Sequence, residues 1–319
     1  MGNRHLSPKF MDDLLVPSGV LHELLCRVKA DDTLDLQIRD DAINVYYRGL
    51  NLVEVSLSPA SGYKFHFDPN YFRPEAALPG TPTRAAVMGN LPNPVVRVSD
   101  CQLWLLVVPL LKDAIDRYFT IVKAAREKEI QQVMVRENNY GDPNVATATD
   151  YFVIDVEYAK DDHGRADLVA VCWPSTPHVR TRRKNRRLAI VELKFGDGEV
   201  AGRSGLLAHV KNAGLLAANA TRIDFCKEML DVYAQKHALG LLGGAPPLAS
   251  VDDTGLDFII VVANHDPAKS ALKRELAAII GNYPANLTLW VASASQFGYG
   301  LFADKRHMTP LEDFYKSLP

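Results

Sequence analysis

Hydrophobic and polar positions alternate with period two through residues 34–67. Leu34, Leu36 and Ile38 fall on one side and Asp35, Gln37 and Arg39 on the other. Ile43, Val45 and Tyr47, then Val53, Val55 and Leu57, then Tyr63, Phe65 and Phe67 repeat the pattern. Period two marks a strand with one face buried, and the breaks at Asp40-Asp41, Gly49 and residues 58–62 have turn compositions. The pattern predicts a four-stranded antiparallel meander with one solvated face, preceded by a short helix over residues 21–29. Pro74, Pro79, Pro82, Pro92 and Pro94 then crowd residues 73–94, where regular structure is not expected. The domain boundary is placed there: an N-terminal antiparallel β module over 1–73, a proline-rich linker over 74–99 and a second domain over 100–319.

Past residue 100 the period lengthens. Ser99 or Asp100 can cap a helix predicted over 102–138, with Pro109 as a point of kinking or restart. Residues 151–158 read as a strand and 161–164 as a hairpin turn. Two apolar runs follow, Leu168-Val169-Ala170-Val171 after Asp167 and Leu188-Ala189-Ile190-Val191 before Glu192, each of the kind that forms a buried strand. A helix over 206–242, a strand over 256–263, a helix over 269–282 and a strand over 287–292 complete the chain. The order is helix, three strands, helix, strand, helix, strand, which is α/β, a mixed sheet flanked by helices.

Asp167, Glu192 and Lys194 stand at the ends of those two apolar runs. With 38 acidic residues and 16 lysines in 319 positions, an acid-x-Lys triplet is expected about twice by chance; it occurs once, directly after a buried strand. Residues two apart in a strand share a face, so Glu192 and Lys194 point to the same side. If the two strands pair antiparallel, Asp167 comes to lie beside Glu192.

In these residues and this element order, over roughly residues 100–300, the chain resembles the PD-(D/E)xK nuclease superfamily, with Ala166 where the proline of the motif stands. The resemblance implies a restriction-endonuclease-like fold and metal-dependent hydrolysis of nucleic-acid phosphodiesters, DNA favoured. Asp167, Glu192 and the backbone carbonyl of Leu193 would supply oxygen ligands for Mg²⁺ or Mn²⁺, and Lys194 would orient water, act as a base or stabilise the developing oxyanion. The superfamily often adds an acid from its first core helix, and Glu129 is preferred over Glu137 for that role; a solvated face of salt pairs explains the same cluster. Asp155 and Glu157 share a strand face and either border the metal site or pair with Arg165.

Arg180, Arg182, Arg183, Lys184, Arg186 and Arg187 lie between the two site strands with no acid among them, so this segment is expected to grip nucleic-acid backbone. A solvated loop is the plainer alternative. Arg203 and Lys211, with His209 near the start of the next helix, are further phosphate-binding candidates. Arg39, Tyr46, Arg48, Lys64 and His66 on the meander either read substrate or form an ordinary solvated face. The net charge of −2 gives no global attraction to polyanions.

Other chemistries lack their motifs: no Gly-Lys-Ser/Thr follows the glycines of 196–205, no HExxH is present and Gly202-Arg-Ser-Gly205 is no nucleophile elbow. Cys26, Cys101, Cys172 and Cys226 form no CxxC pair and fit a cytoplasmic protein with reduced thiols. The longest apolar run, residues 103–111, contains Pro109 and is nine residues long, against about 20 for a bilayer span. Neither membrane anchoring nor secretion is expected. A homodimer would suit cleavage of both strands. The rival reading is a non-catalytic module that keeps the fold and binds nucleic acid or an acidic partner; a second is an enzyme acting on nucleotides or RNA ends.

Overall fold

A computed structural model describes residues 4–58, 61–121, 126–139, 149–160, 164–196, 200–202, 205–266, 270–294, 298–304 and 307–319. The chain divides into two compact units, one of residues 2–132 with 238–241, the other of residues 133–237 with 242–319.

The N-terminal unit is built on the meander. Strands β1 (Leu34–Arg39), β2 (Ala42–Tyr47), β3 (Leu50–Ser58) and β4 (Gly62–His66) pair antiparallel in chain order. Between β2 and β3 the turn residues Arg48 and Gly49 both take positive φ, +52° and +73°, the geometry of the tight turn that matches strand twist. Helices α1 (Pro8–Leu15) and α2 (His22–Lys29) precede the sheet. The face expected to be solvated is covered at β1: Asp35 and Gln37 are buried, and the Gln37 amide donates to Asp35 at 2.6 Å.

The proline-rich stretch folds onto this sheet. It holds two short 3₁₀ turns (Pro69–Phe72 and Pro74–Ala76) and helix α3 (Arg84–Met88), and its Tyr71, Val87 and Val95 belong to the same core as Phe65 and Trp104. Helix α4 (Val98–Ile121) runs through Pro109. Its Cys101, Trp104, Val108, Leu111 and Ile115 form one stripe at helical spacing and pack into the core of this unit. At its start the Asp100 carboxylate accepts from the backbone N–H of Val96 and Arg97, 3.1 and 3.0 Å, and so occupies orphan donors. Helix α5 (Arg126–Asn139) follows, and the division between the units falls within it.

The second unit is a six-stranded mixed sheet flanked by helices. Its strands are β5 (Tyr151–Lys160), β6 (Gly164–Cys172), β7 (Arg186–Phe195), β8 (Val251–Ala263), β9 (Leu287–Ser293) and β10 (Met308–Pro310), in the order β10-β9-β8-β7-β6-β5. β5, β6 and β7 pair antiparallel, β7, β8 and β9 parallel, and β10 closes the edge antiparallel to β9. Continuous apolar runs are needed in β7 and β8 because both are central strands. A short helix α6 (Pro177–Arg180) lies between β6 and β7. The predicted long helix after β7 is two, α7 (Leu206–Leu216) and α8 (Asn219–Ala238). Helix α9 (Ser270–Ile279) joins β8 to β9, and α10 (Leu311–Ser317) ends the unit.

Leu206, Val210 and Ala213 of α7 and Phe225, Met229 and Tyr233 of α8 share a core with Leu188 and Ile190 of β7 and Phe258 and Ile260 of β8. Among the described residues no helix is long and apolar enough to cross a membrane. All four cysteines are free, and burial pushes the Cys101 and Cys226 thiols up to about 12 and that of Cys172 up to about 11, away from thiolate chemistry.

Candidate active site

Strand register brings the two predicted acids together. β6 and β7 pair from Val171↔Leu188 to Leu168↔Val191, so the next step places Asp167 across from Glu192. The Leu193 N–H donates to Asp167 Oδ2 at 2.8 Å and ties the two strand ends together. Asp167 is half-buried; Glu192 is 1% exposed and Lys194 5%. Glu192 and Lys194 continue the face of β7 that carries Leu188 and Ile190 into the core, so the sheet and the helices over it exclude water from them.

Two basic side chains converge on Glu192. Lys194 Nζ lies 2.7 Å from Oε1, and His209 Nδ1 on α7 lies 3.0 Å from Oε2. Neither carboxylate oxygen receives an aligned hydrogen bond despite being buried. His209 reaches the site because α7 packs close to the first residues of β6: at Gly164, φ +104°, a Cβ would come within 2.8 Å of the Asn212 carbonyl oxygen. The side chain of His209 is 18% exposed.

The neighbouring strand adds a third acid at the same level. Asn139 pins β5 at Val153 with two hydrogen bonds, 2.7 and 2.8 Å, and a bulge follows between Val153 and Asp155. Beyond it Val156 pairs with Leu168 and Tyr158 with Ala166, which sets Glu157 level with Asp167. Glu157 has φ +53°, a backbone conformation that side chains other than glycine rarely adopt. Asp155, two residues earlier, is fully buried beside Val169.

Glu129 is engaged within the N-terminal unit. It belongs to the stretch of α5 in the N-terminal unit, where its carboxylate accepts from Arg48 Nε at 2.8 Å while Arg48 Nη1 donates to Asp116 at 2.8 Å. These acids hold the Arg48 guanidinium well above its ordinary range, the Glu129 hydrogen bond outweighing burial. Glu137 is exposed.

The basic run divides into structural and exposed members. Arg187 donates to Asp257 at 2.8 Å, to the Leu256 carbonyl at 3.2 Å and to Thr288 at 3.1 Å, bracing β7 against β8 and β9. Arg180 donates to the Thr149 carbonyl at 2.9 Å and stacks over Phe152 at 4.8 Å, and burial pulls its guanidinium below the usual range. Arg186 is half-buried, its Nε on the Lys184 carbonyl at 3.1 Å. Arg182, Arg183 and Lys184 are exposed. Their backbone is ordered by the 245–250 segment: the Ala249 N–H donates to the Arg183 carbonyl at 2.7 Å and the Asn185 N–H to Ser250 at 3.0 Å. Lys211 is exposed on α7, and Arg203 lies outside the described residues. On the meander, Arg48 is engaged in its ion pairs and Arg39 donates to Tyr46 at 3.1 Å, whereas Lys64 and His66 are exposed.

The donor set suits a hard dication. Two carboxylates on facing strand positions offer oxygen, Asp167 half-buried and Glu192 with its oxygens against Lys194 Nζ and His209 Nδ1. Among the described residues no three His, Cys, Asp or Glu side chains already form a metal cage, so a metal held here would draw its remaining ligands from backbone, water and substrate. Comparison with protein-family models, curated proteins and solved structures returns no match to this chain.

Proposed function

We propose that the second unit is a metal-dependent nuclease with a restriction-endonuclease-like core, acting on nucleic-acid phosphodiesters, DNA favoured. The observation that carries this reading is the register of β6 against β7, which sets Asp167 across from Glu192 with Lys194 on the same face. The order of pairing β5-β6-β7-β8, three antiparallel strands followed by a parallel one, supports it further. So does the left-handed Glu157 beside Asp167, since backbone strain gathers at functional sites.

Asp167 and Glu192, with the backbone of Leu193, would hold Mg²⁺ or Mn²⁺. Bound there, a dication supplies Lewis-acid charge at phosphorus and a nucleophilic water near neutral pH. Lys194 places a fixed positive charge beside the acids, where charge develops on the phosphoryl oxygens. His209 holds the far oxygen of Glu192 and so fixes the carboxylate plane. Arg182, Arg183 and Lys184 offer exposed charge for backbone away from the scissile bond, and their replacement is expected to reduce the salt slope of binding by about one for each phosphate no longer neutralised.

The test incubates the full chain with labelled single- and double-stranded DNA and RNA in Mg²⁺, Mn²⁺ or EDTA. Metal-dependent cleavage by the wild type, lost in Asp167→Asn, is expected; Asp167 is half-buried, so this variant is the one least exposed to misfolding. Cleavage that persists in Asp167→Asn, or none from the wild type on any substrate, would overturn the reading. The engagement of Glu192 by Lys194 and His209 favours as second reading a binding module without catalysis, for which a Mn²⁺ titration would show no isotherm sensitive to Asp167.

A further inference from the structure

The proline-rich stretch forms a cleft that the nuclease reading does not use. It has a volume of about 220 Å³ and is lined by Arg73, Arg84 and Arg117, by Thr81 and Thr83, and by Tyr71, with no acid among the lining residues; the Thr81 hydroxyl donates to the Leu78 carbonyl at 2.7 Å. In a chain of net charge −2 this is a local concentration of guanidinium groups.

Their surroundings differ in a useful way. Arg117 is 8% exposed; its Nε donates to the Asp113 carbonyl at 3.3 Å and its Nη2 lies 3.1 Å from the Asp113 carboxylate, which fixes it at the cleft. Arg73 is exposed, its Nη2 donating to Asn70 at 3.3 Å and its guanidinium 5.8 Å from the Tyr118 ring centroid. Arg84 is exposed and makes no hydrogen bond or ion pair to any described residue. Thr83 Oγ accepts from the Ala86 N–H at 3.3 Å, leaving its own O–H to donate outward. The walls are stiff, since Pro74 and Pro82 restrict the backbone on both sides.

We propose that this cleft binds a phosphate group, borne by a nucleic-acid strand or a free nucleotide. Asp113 engages Arg117, while Arg73 and Arg84 bring two further guanidinium groups to walls that carry no acid, a donor set that suits a phosphate of about −1.5 to −2. The volume is below the roughly 300–1,000 Å³ of pockets that enclose a whole small molecule, so it takes the phosphate and leaves the rest of the ligand outside. Tight turns and proline hold the arginine backbone in place before the anion arrives, which lowers the ordering cost of binding.

The test uses the full chain with Arg182, Arg183 and Lys184 replaced by Gln, so that those exposed cations cannot mask the cleft, and EDTA, so that hydrolysis plays no part. Fluorescence anisotropy would follow 3′-labelled dT12 bearing a 5′-phosphate or a 5′-hydroxyl, with AMP as competitor. Arg84→Glu and Arg73→Gln are each expected to weaken binding about 10-fold or more and to flatten its salt dependence by about one unit of slope per phosphate released from its arginine. Competition by AMP together with a preference for the 5′-phosphate would place a terminal or free phosphate in the cleft; equal binding of both strands without competition would place a backbone diester there. Unchanged affinity and slope in both variants, or no binding of dT12 and AMP by the parent chain, would overturn the proposal.

Discussion

Burying a carboxylate costs several kcal/mol unless a cation accompanies it, and Glu192, 1% exposed, is accompanied by Lys194 at 2.7 Å and His209 at 3.0 Å. Removing one partner leaves the other charge stranded. Lys194→Met is therefore expected to lower unfolding stability by about 3 kcal/mol, whereas Glu192→Gln with Lys194→Met should recover much of that loss, as read by urea denaturation in a double-mutant cycle. Any loss of nuclease activity in a Lys194 variant has to be separated from this destabilisation, which is why Asp167→Asn is the cleaner probe of chemistry. At this scale the juxtaposition of the candidate residues is legible: the single acid-x-Lys after a buried strand and the acid before its neighbour point to Asp167, Glu192 and Lys194, which the β6–β7 register brings together. His209 was visible near the start of a helix, but its partner could not be read, because nothing local in sequence says which turn of α7 passes over the end of β7. Arg187 and Arg180 read as cations open to phosphate for the same reason, since Asp257 and Phe152, which absorb them, lie on other strands.

Ion pairs between elements set the acid response of the N-terminal unit. Asp31, after α2, receives Lys112 of α4 at 2.6 Å and the Thr33 hydroxyl at 2.6 Å. Burial works to raise its carboxyl, but the hydrogen bonds from Lys112 and Thr33 and the Lys112 charge outweigh it and hold the group down to about 2. A carboxyl depressed in the folded state contributes stability that is present above its unfolded value near 3.9 and is lost as pH falls through the folded one. Between about pH 4 and pH 2, the stability of Asp31→Asn should fall less steeply than that of the wild type, as followed by thermal melts across that range. The β2–β3 turn gives a second expectation. Gly49 has φ +73°, and a Cβ there would run into the Lys128 carbonyl of α5, so Gly49→Ala should cost more than the roughly 1–2 kcal/mol of left-handed backbone alone, as read by urea denaturation. The strands of this turn were legible because alternation survives in their sequence. β10 and α10 leave no such mark: three residues of strand and seven of helix carry too little periodicity, and their order comes from the edge of β9.

At the scale of the whole chain, proline content misleads about where a domain ends. Prolines forbid ladder and helix hydrogen bonds but do not forbid packing, and residues 71–95 contribute Tyr71, Val87 and Val95 to the core of the N-terminal unit. The helix after them belongs to that core as well: Cys101, Trp104, Val108, Leu111 and Ile115 fill the space beside Phe65 and Tyr63, and Leu239 and Leu241 return to it from far along the chain. A fragment ending at residue 99 would lose those five helix residues, whose burial is worth on the order of 10 kcal/mol, comparable with the total stability of a domain. Such a fragment is expected to show no cooperative unfolding transition by circular dichroism. A fragment of residues 4–132 keeps α4 and lacks only Leu239 and Leu241 from that core, so it should unfold cooperatively at a lower urea midpoint than the intact chain. The reverse result, a stable fragment ending at residue 99, would mean that α4 is an appendage rather than a wall of the first unit, and that the proline stretch is the boundary its composition advertises.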